Sequence, residues 1–369
     1  MPAEGPLSPR LAAALSIDAP IMQSGMAGVA GPDLVAAVSN AGGLGVMAAL
    51  RLEPEVVRRA IRRVREATDK PFGVNIWLHR DVRVSPDPSA IPNDVVRGSQ
   101  AVLNHYRPRF DLSPTLEPPP PAADLVDAAL EVMIEERIPV FSAGLGIPEP
   151  QLVERFHRVG TKIVSMVATV EDGVAAVANG VDVVAAQGTE SGGHRSYGAK
   201  HDLAQATGSS TLVLVPAMVD ALDGRVPVLA AGGVVDGRGL AAMLALGADG
   251  VLLGTRFVAT MESEASTLWK RRLTEGTRPT TLTDGFTGQW ARVLTTEFTE
   301  EWASSGAEAL PGLLQSAAGR DLFAAAKEAG DDQLQPLYAG AAAEQLSDIP
   351  SAADVVHEMV AEARAILGR

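Results

Sequence analysis

Short β-branched apolar runs alternate with helical patterns through most of this chain, and that alternation constrains its fold more than any other feature. The runs are Ile21–Gln23, Leu44–Met47, Phe72–Ile76, Val140–Ala143, Ile163–Met166, Val183–Ala186, Val228–Ala230 and Gly250–Leu253. Being apolar on both faces, they read as parallel strands buried between an inner core and a layer of helices. Helical patterns lie between them. Pro32–Ala41 starts on a proline and stops at Gly42-Gly43, and Glu53–Thr68 places Val56, Val57, Ala60, Ile61 and Val64 at helical spacing. Val170–Asn179 and Gly237–Leu246 both run into a Gly-(Val/Ala)-Asp phrase, at Gly180 and Gly247, that reads as a C-cap and a turn into a strand. Eight such units predict an α/β protein with a (β/α)8 TIM barrel.

Two stretches break the repeat. His79 to Ala122 is proline-rich, including Pro118 to Pro121, and precedes a helical pattern at Ala123–Glu136. From about Ala265 to Ser347 the pattern is helical and polar, with Trp269, Trp290 and Trp302 and no strand signal. Both follow barrel strands, so both belong at the C-terminal rim, where barrel active sites lie. The expected organisation is a barrel of residues 1–78, 123–264 and 350–369 under a smaller, mostly helical cap of residues 79–122 and 265–349. The amphipathic segment Ser351–Leu367 is expected to return and pack on the barrel.

Composition removes several classes of function. Lys+Arg of 31 against Asp+Glu of 45 gives a formal charge of -14, which repels a phosphate backbone. The densest basic stretch, Arg58 to Arg65, has the spacing of a solvated helix face, so no nucleic-acid partner is expected. The absence of cysteine excludes disulfides, thiolate metal sites, cysteine-ligated clusters and cysteine nucleophiles. His157 and His201 lie far apart, and no His/Asp/Glu cluster has ligand spacing. No signal pattern opens the chain, and no apolar run approaches the about 18 residues of a membrane span. A soluble cytoplasmic protein is expected, with a homodimer left open.

Four phrases carry chemistry. The loops after the seventh and eighth strands contain Gly232-Gly233 and Gly254-Thr255, placed where barrels bind phosphate. Each pair alone is also an ordinary tight turn; together at these two strands they favour an anion held by backbone N–H groups. After strand 6 comes Gln187-Gly-Thr-Glu-Ser-Gly-Gly-His-Arg-Ser-Tyr-Gly198. Its Gly192-Gly193 lets backbone lie against a flat ligand, and His194 then projects at the rim with a side chain suited to proton abstraction near neutral pH. Glu190 either orients that histidine or is a surface carboxylate. Asn75, in Phe72-Gly-Val-Asn, offers a donor and an acceptor to a heterocycle edge or to neighbouring backbone. The fourth, Ala19-Pro-Ile-Met-Gln-Ser-Gly-Met-Ala-Gly28, is a glycine-rich loop after strand 1.

In this order the four phrases resemble the nitronate monooxygenase family, formerly the 2-nitropropane dioxygenases, over about Ile17 to Phe257. The Gln-Gly-x-Glu-(Ala/Ser)-Gly-Gly-His phrase is the most specific part. The resemblance implies an FMN-dependent flavoprotein barrel that oxidises alkyl nitronates, such as propionate 3-nitronate, or nitroalkanes with dioxygen to a carbonyl compound and nitrite. It implies FMN contacts at Met22, Gln23, Asn75, Gln187, Ser191, Gly192, Gly193, Gly232, Gly233, Leu252, Leu253, Gly254 and Thr255, and a catalytic His194. Two departures stand out. Gln23-Ser24-Gly25-Met26 replaces the usual Gln-Ala-Pro-Met, and Ser191 stands where alanine is usual. The first resembles the FMN-dependent enoyl-(acyl carrier protein) reductases, in which NAD(P)H reduces the flavin and the histidine donates a proton. Two further readings are a flavin-free phosphate-binding isomerase or aldolase and a non-catalytic binding protein. The former lacks a Schiff-base lysine at the rim, since Lys162 falls at the start of strand 5.

Overall fold

A computed structural model describes residues 5–121, 123–197, 207–276 and 279–368. Eleven strands are found among them: β1 (Ile21–Gln23), β2 (Gly45–Ala48), β3 (Phe72–Trp77), β4 (Val140–Gly144), β5 (Lys162–Val167), β6 (Val183–Gln187), β7 (Gly193–His194), β8 (Val228–Ala231), β9 (Gly250–Leu253), β10 (Thr280–Thr283) and β11 (Ala291–Leu294). Eight of them form one parallel sheet in the order β1-β9-β8-β6-β5-β4-β3-β2. A parallel bridge between Met22 and Leu44 joins its two edges. There Gln23 N donates to Leu44 O and Leu44 N to Ile21 O, both at 2.9 Å. The sheet is the predicted barrel, each strand within a residue or so of its expected bounds.

Strand alternation sorts the apolar runs into two cores. Met22, Val46, Val140, Val164, Val183, Leu229 and Leu252 point inward and fill the barrel. The N-terminal helix Pro9–Leu15, capped by Ser8, plugs the bottom with Leu11 and Leu15. Their neighbours Ile21, Val184, Ala230 and Val251 point outward under the helices. Gly180 and Gly247 have φ of 97° and 94°, a conformation that stops a helix and turns the chain into the next strand. The returning segment forms the helix Ala352–Leu367, capped by Ser351, and packs on Pro32–Asn40 and Gly237–Ala245.

The region after β9 departs from the reading as strand-free. β10 and β11 pair antiparallel, and β11 also pairs with β7, setting Ala291 opposite His194 and Arg292 opposite Gly193. The two strands are four residues each, and β11 pairs with a segment about a hundred residues earlier, so local periodicity carries little of the signal. The helix Asn93–Tyr106 packs into the same region: Leu103 and Tyr106 share one cluster with Phe286, Phe298, Trp302, Leu314 and Leu322. Among the described residues no helix is long and apolar enough to cross a membrane.

Candidate active site

Over the C-terminal ends of the barrel strands lies a cavity of about 310 Å³. Every barrel strand contributes to its floor, through Gly25, Ala48, Asn75, Leu145, Met166, Gln187, Ala231 and Leu252. Its roof comes from the region after β9: Trp269, Thr287, Leu313, Ser316, Tyr338 and Gly340. A size of a few hundred Å³ and a mostly apolar lining with a few polar groups suit a small organic ligand.

On one side the loops after β8 and β9 meet. Gly232 and Gly233 adopt φ of 112° and 74°, where a side chain would be strained, and a Cβ on Gly232 would lie 2.5 Å from Ser191 Oγ. The backbone N–H groups of Gly232, Gly233 and Gly254 donate to no group among the described residues. Three unclaimed donors at a cavity wall are the chemistry of an anion seat. Thr255 Oγ1 accepts from Gly340 N at 2.9 Å, which ties this side to the roof.

On the floor, Asn75 Nδ2 donates to Ser142 O and Oγ, each at 3.0 Å. Its Oδ1 accepts from no group among the described residues. Gly25 lets the loop after β1 cross it, since a Cβ there would lie 2.4 Å from Asn75 Cβ. His194 sits on β7, with Nε2 2.9 Å from Thr287 Oγ1 and its ring between Trp77 (centroids 4.6 Å apart) and Tyr338 (5.3 Å).

Comparison with known proteins accounts for this arrangement. The family model described as nitronate monooxygenase matches residues 8–362. A probable nitronate monooxygenase of Staphylococcus saprophyticus is 33% identical over 364 residues, 98% of this chain and 99% of the relative. The chain belongs to the nitronate monooxygenase family. It is a flavin-dependent oxidoreductase enzyme. Among solved structures, a nitroalkane oxidase from Streptomyces ansochromogenes superposes with TM-score 0.87 at 34% identity, covering 97% of this chain and 99% of that one. FabK from Thermotoga maritima follows at TM-score 0.75 and 30% identity, covering 97% of each chain. The family match reaches through the roof, beyond the stretch in which the four phrases lie.

Against this nitronate monooxygenase framework the sequence-derived residues sort unevenly. Asn75, Gln187, Ser191, Gly192, Gly193, His194, Gly232, Gly233, Leu252, Leu253, Gly254 and Thr255 all line the cavity. Met22 and Gln23 do not. Met22 points into the barrel interior, and the buried Gln23 amide accepts from Val46 N (3.0 Å) and donates to Val46 O and Ser24 O. Both side chains are spent within the barrel, and Ser24, Gly25 and Met26 take the lining positions instead. Gln187 reaches the cavity with both ends engaged, donating to His194 O (2.9 Å) and accepting from Ser196 N (2.7 Å). Its side chain therefore braces the histidine loop. Gly192 is crossed by the roof, where a Cβ would lie 2.5 Å from Gly340 N.

Glu190 does not orient His194. Its carboxylate accepts from Thr211 N (2.8 Å) and Thr211 Oγ1 (2.9 Å), at the start of the helix Thr211–Leu222, and Thr287 is the side chain on His194 Nε2. Lys162 pairs with Asp182 at 2.9 Å where β5 begins, at the far end of the barrel, and His157 pairs with the same carboxylate. Ala122, Gly198 and His201 lie outside the described residues.

Sequence reasoning missed three groups. Arg195 is fully buried and donates to Gly188 O and to Gln187 O (3.1 Å), clamping the end of β6; burial pushes its pKa down. Thr287 and Tyr338 enter from the roof, in a region without a motif. The Tyr338 phenol is pushed well up by burial and stays protonated. No three His, Asp or Glu side chains among the described residues are placed to hold a metal ion.

Proposed function

We propose that this enzyme uses FMN to oxidise alkyl nitronates with dioxygen to a carbonyl compound and nitrite. The observation that carries the reading is His194 at the wall of a barrel-mouth cavity that also presents unclaimed backbone donors. Gly232, Gly233 and Gly254 would hold the phosphate, and Asn75 Oδ1 would accept from a ring N–H. When bound, the flavin supplies two-electron chemistry that links a reduced carbon–nitrogen substrate to oxygen.

The chain's own part is to hold the substrate and move one proton. Thr287 has one hydroxyl proton, and Gln289 O lies 3.3 Å from its oxygen as acceptor. His194 Nε2–H then donates to Thr287 Oγ1, which places the basic lone pair on Nδ1. With a neutral nitroalkane, the α-carbon–hydrogen bond breaks, the proton goes to Nδ1, and the electron pair forms the C=N bond as charge moves to the nitro oxygens. With a preformed nitronate no proton need be removed. Trp77, Tyr338 and Trp269 shield the site from water.

The test is an anaerobic visible spectrum of the FMN-loaded protein before and after propionate 3-nitronate. Bleaching of the flavin band is the expected result. A bound flavin that ignores the nitronate and is bleached by NAD(P)H would move the assignment to an enoyl-thioester reductase, with His194 as proton donor, the reading that the likeness to FabK favours. His194→Ala is expected to keep its flavin and lose about 10²–10⁴-fold in turnover of a neutral nitroalkane, the usual range for a general base.

A further inference from the structure

Tyr338 is the anomaly of the cavity. Its half-buried side chain lines the cavity, and a tyrosine hydroxyl at such a wall usually finds a hydrogen-bond partner. The Tyr338 hydroxyl has none among the described residues, although its ring lies 5.3 Å from the His194 ring and 6.3 Å from that of Trp269. Its backbone is pinned, with Tyr338 N donating to Pro336 O and a bridge to Val293, so the ring is fixed from behind.

Arg51 adds a second irregularity on the same cavity. Its guanidinium meets only neutral oxygens, Ser316 Oγ (3.3 Å) and Leu313 O (3.4 Å), and no carboxylate pairs with it among the described residues. Its residue adopts φ of 64°, outside the usual range for a side-chain-bearing residue. Arg320 carries like charge nearby. In a chain of net charge -14, an arginine without an acid beside an unpartnered phenol is a donor pair lacking its acceptor.

We propose that Tyr338 is a second catalytic residue, whose O–H donates to a nitro oxygen of the substrate while His194 takes the α-proton, with Arg51 drawing negative charge to the same end of the cavity. This rests on the nitronate-oxidation reading. The chemistry gives it a signature. During proton removal charge grows on the nitro oxygens, so a donor there stabilises the transition state more than the ground state. A preformed nitronate already carries that charge, so the same donor contributes to binding and little to the chemical step.

The experiment is steady-state kinetics of wild type and Tyr338→Phe with one nitroalkane in its neutral form and as its nitronate, alongside flavin content. With the neutral nitroalkane, Tyr338→Phe is expected to lose about 10²-fold in kcat, the scale of one oxyanion donor. With the nitronate, KM is expected to rise about tenfold and kcat to stay within twofold, flavin content being unchanged. Arg51→Gln is expected to raise KM for the nitronate severalfold at low ionic strength and less at high. Equal losses in kcat for the two forms, or none for either, overturn the role of Tyr338. Should Tyr338→Phe lose its flavin, Tyr338→Met is measured in its place under the same criteria. A wild type inert to both forms overturns the nitronate reading and this inference with it; a wild type active on both with an indifferent variant overturns the inference alone.

Discussion

The barrel and the roof over it are built on opposite plans. In the barrel, apart from the closure of β1 on β9, each strand pairs with the next barrel strand in the chain, one face fills the interior, and the rim receives residues from every strand end. The roof is assembled from distant segments. Asn93–Tyr106 packs against residues near 298–322, and β11 pairs with β7 about a hundred residues earlier. Its polar anchor is also non-local: the buried Arg107 reaches Asp321, Ala318 O, Gln100 and Asn104. A repeated local unit gives a rigid floor; a set of long-range contacts gives a roof whose loss removes Thr287 and Tyr338 from the site.

Arg107→Leu tests that difference hardest. It leaves the oxygens of Ala318 and Gln100 without this donor, at about 1–3 kcal/mol for each buried acceptor left unpaired, while Asp321, 45% exposed, is taken up by solvent at little cost. The expected result in urea is an early transition that releases flavin, followed by the barrel's own. A single transition shifted as a whole would show that roof and barrel unfold as one unit.

The same contrast explains what was legible in the sequence. Ile21–Gln23 and Gly250–Leu253 were readable to the residue because strand runs, capping glycines and helix patterns are local signals. His194, Gly232 and Gly254 were readable because close backbone approach leaves glycine pairs at fixed places on the rim. Met22 and Gln23 lie off the cavity lining: a phrase marks the end of β1 without saying which of its residues reach the rim. Thr287 and Tyr338 were invisible, since a lone threonine or tyrosine in a polar stretch has no spacing that announces it. Glu190 stayed open between two roles because its partner, Thr211, lies beyond the loop that holds it.

Thr287→Val asks for a smaller effect. Its hydroxyl accepts from His194 Nε2, a bond worth about 1 kcal/mol, so turnover of the neutral nitroalkane is expected to fall about five- to tenfold. Thr287→Ser is expected to restore it, and flavin content to stay constant in both. Unchanged turnover in Thr287→Val would reduce the roof to a water shield and leave the histidine's orientation to β7 and its ring neighbours.

The smallest effect is a pH dependence that each region carries once. Burial pushes the Glu136 carboxyl up, and Arg62, Arg58 and Arg65 outweigh it, leaving Glu136 below its ordinary range. Burial likewise pushes the Asp321 carboxyl up, and its bond with Arg107 outweighs that and leaves it lowered. A carboxylate lowered on folding binds fewer protons in the folded state than in the unfolded one, so its stabilisation is complete above the unfolded value of about 4 and is lost as pH falls through the folded value. Glu136→Gln is therefore expected to be less stable than wild type at pH 7, with the gap closing as the pH drops below about 4. Asp321→Asn is expected to follow the same course with a smaller gap, because its side chain is 45% exposed and solvent screens it. Urea midpoints from pH 7 to pH 3 measure both. A gap for Asp321→Asn as large as that for Glu136→Gln would mean that the roof's buried arginine depends on its acid as strongly as the barrel helices depend on theirs, and the division between a locally built floor and a remotely tied roof would no longer extend to their charges.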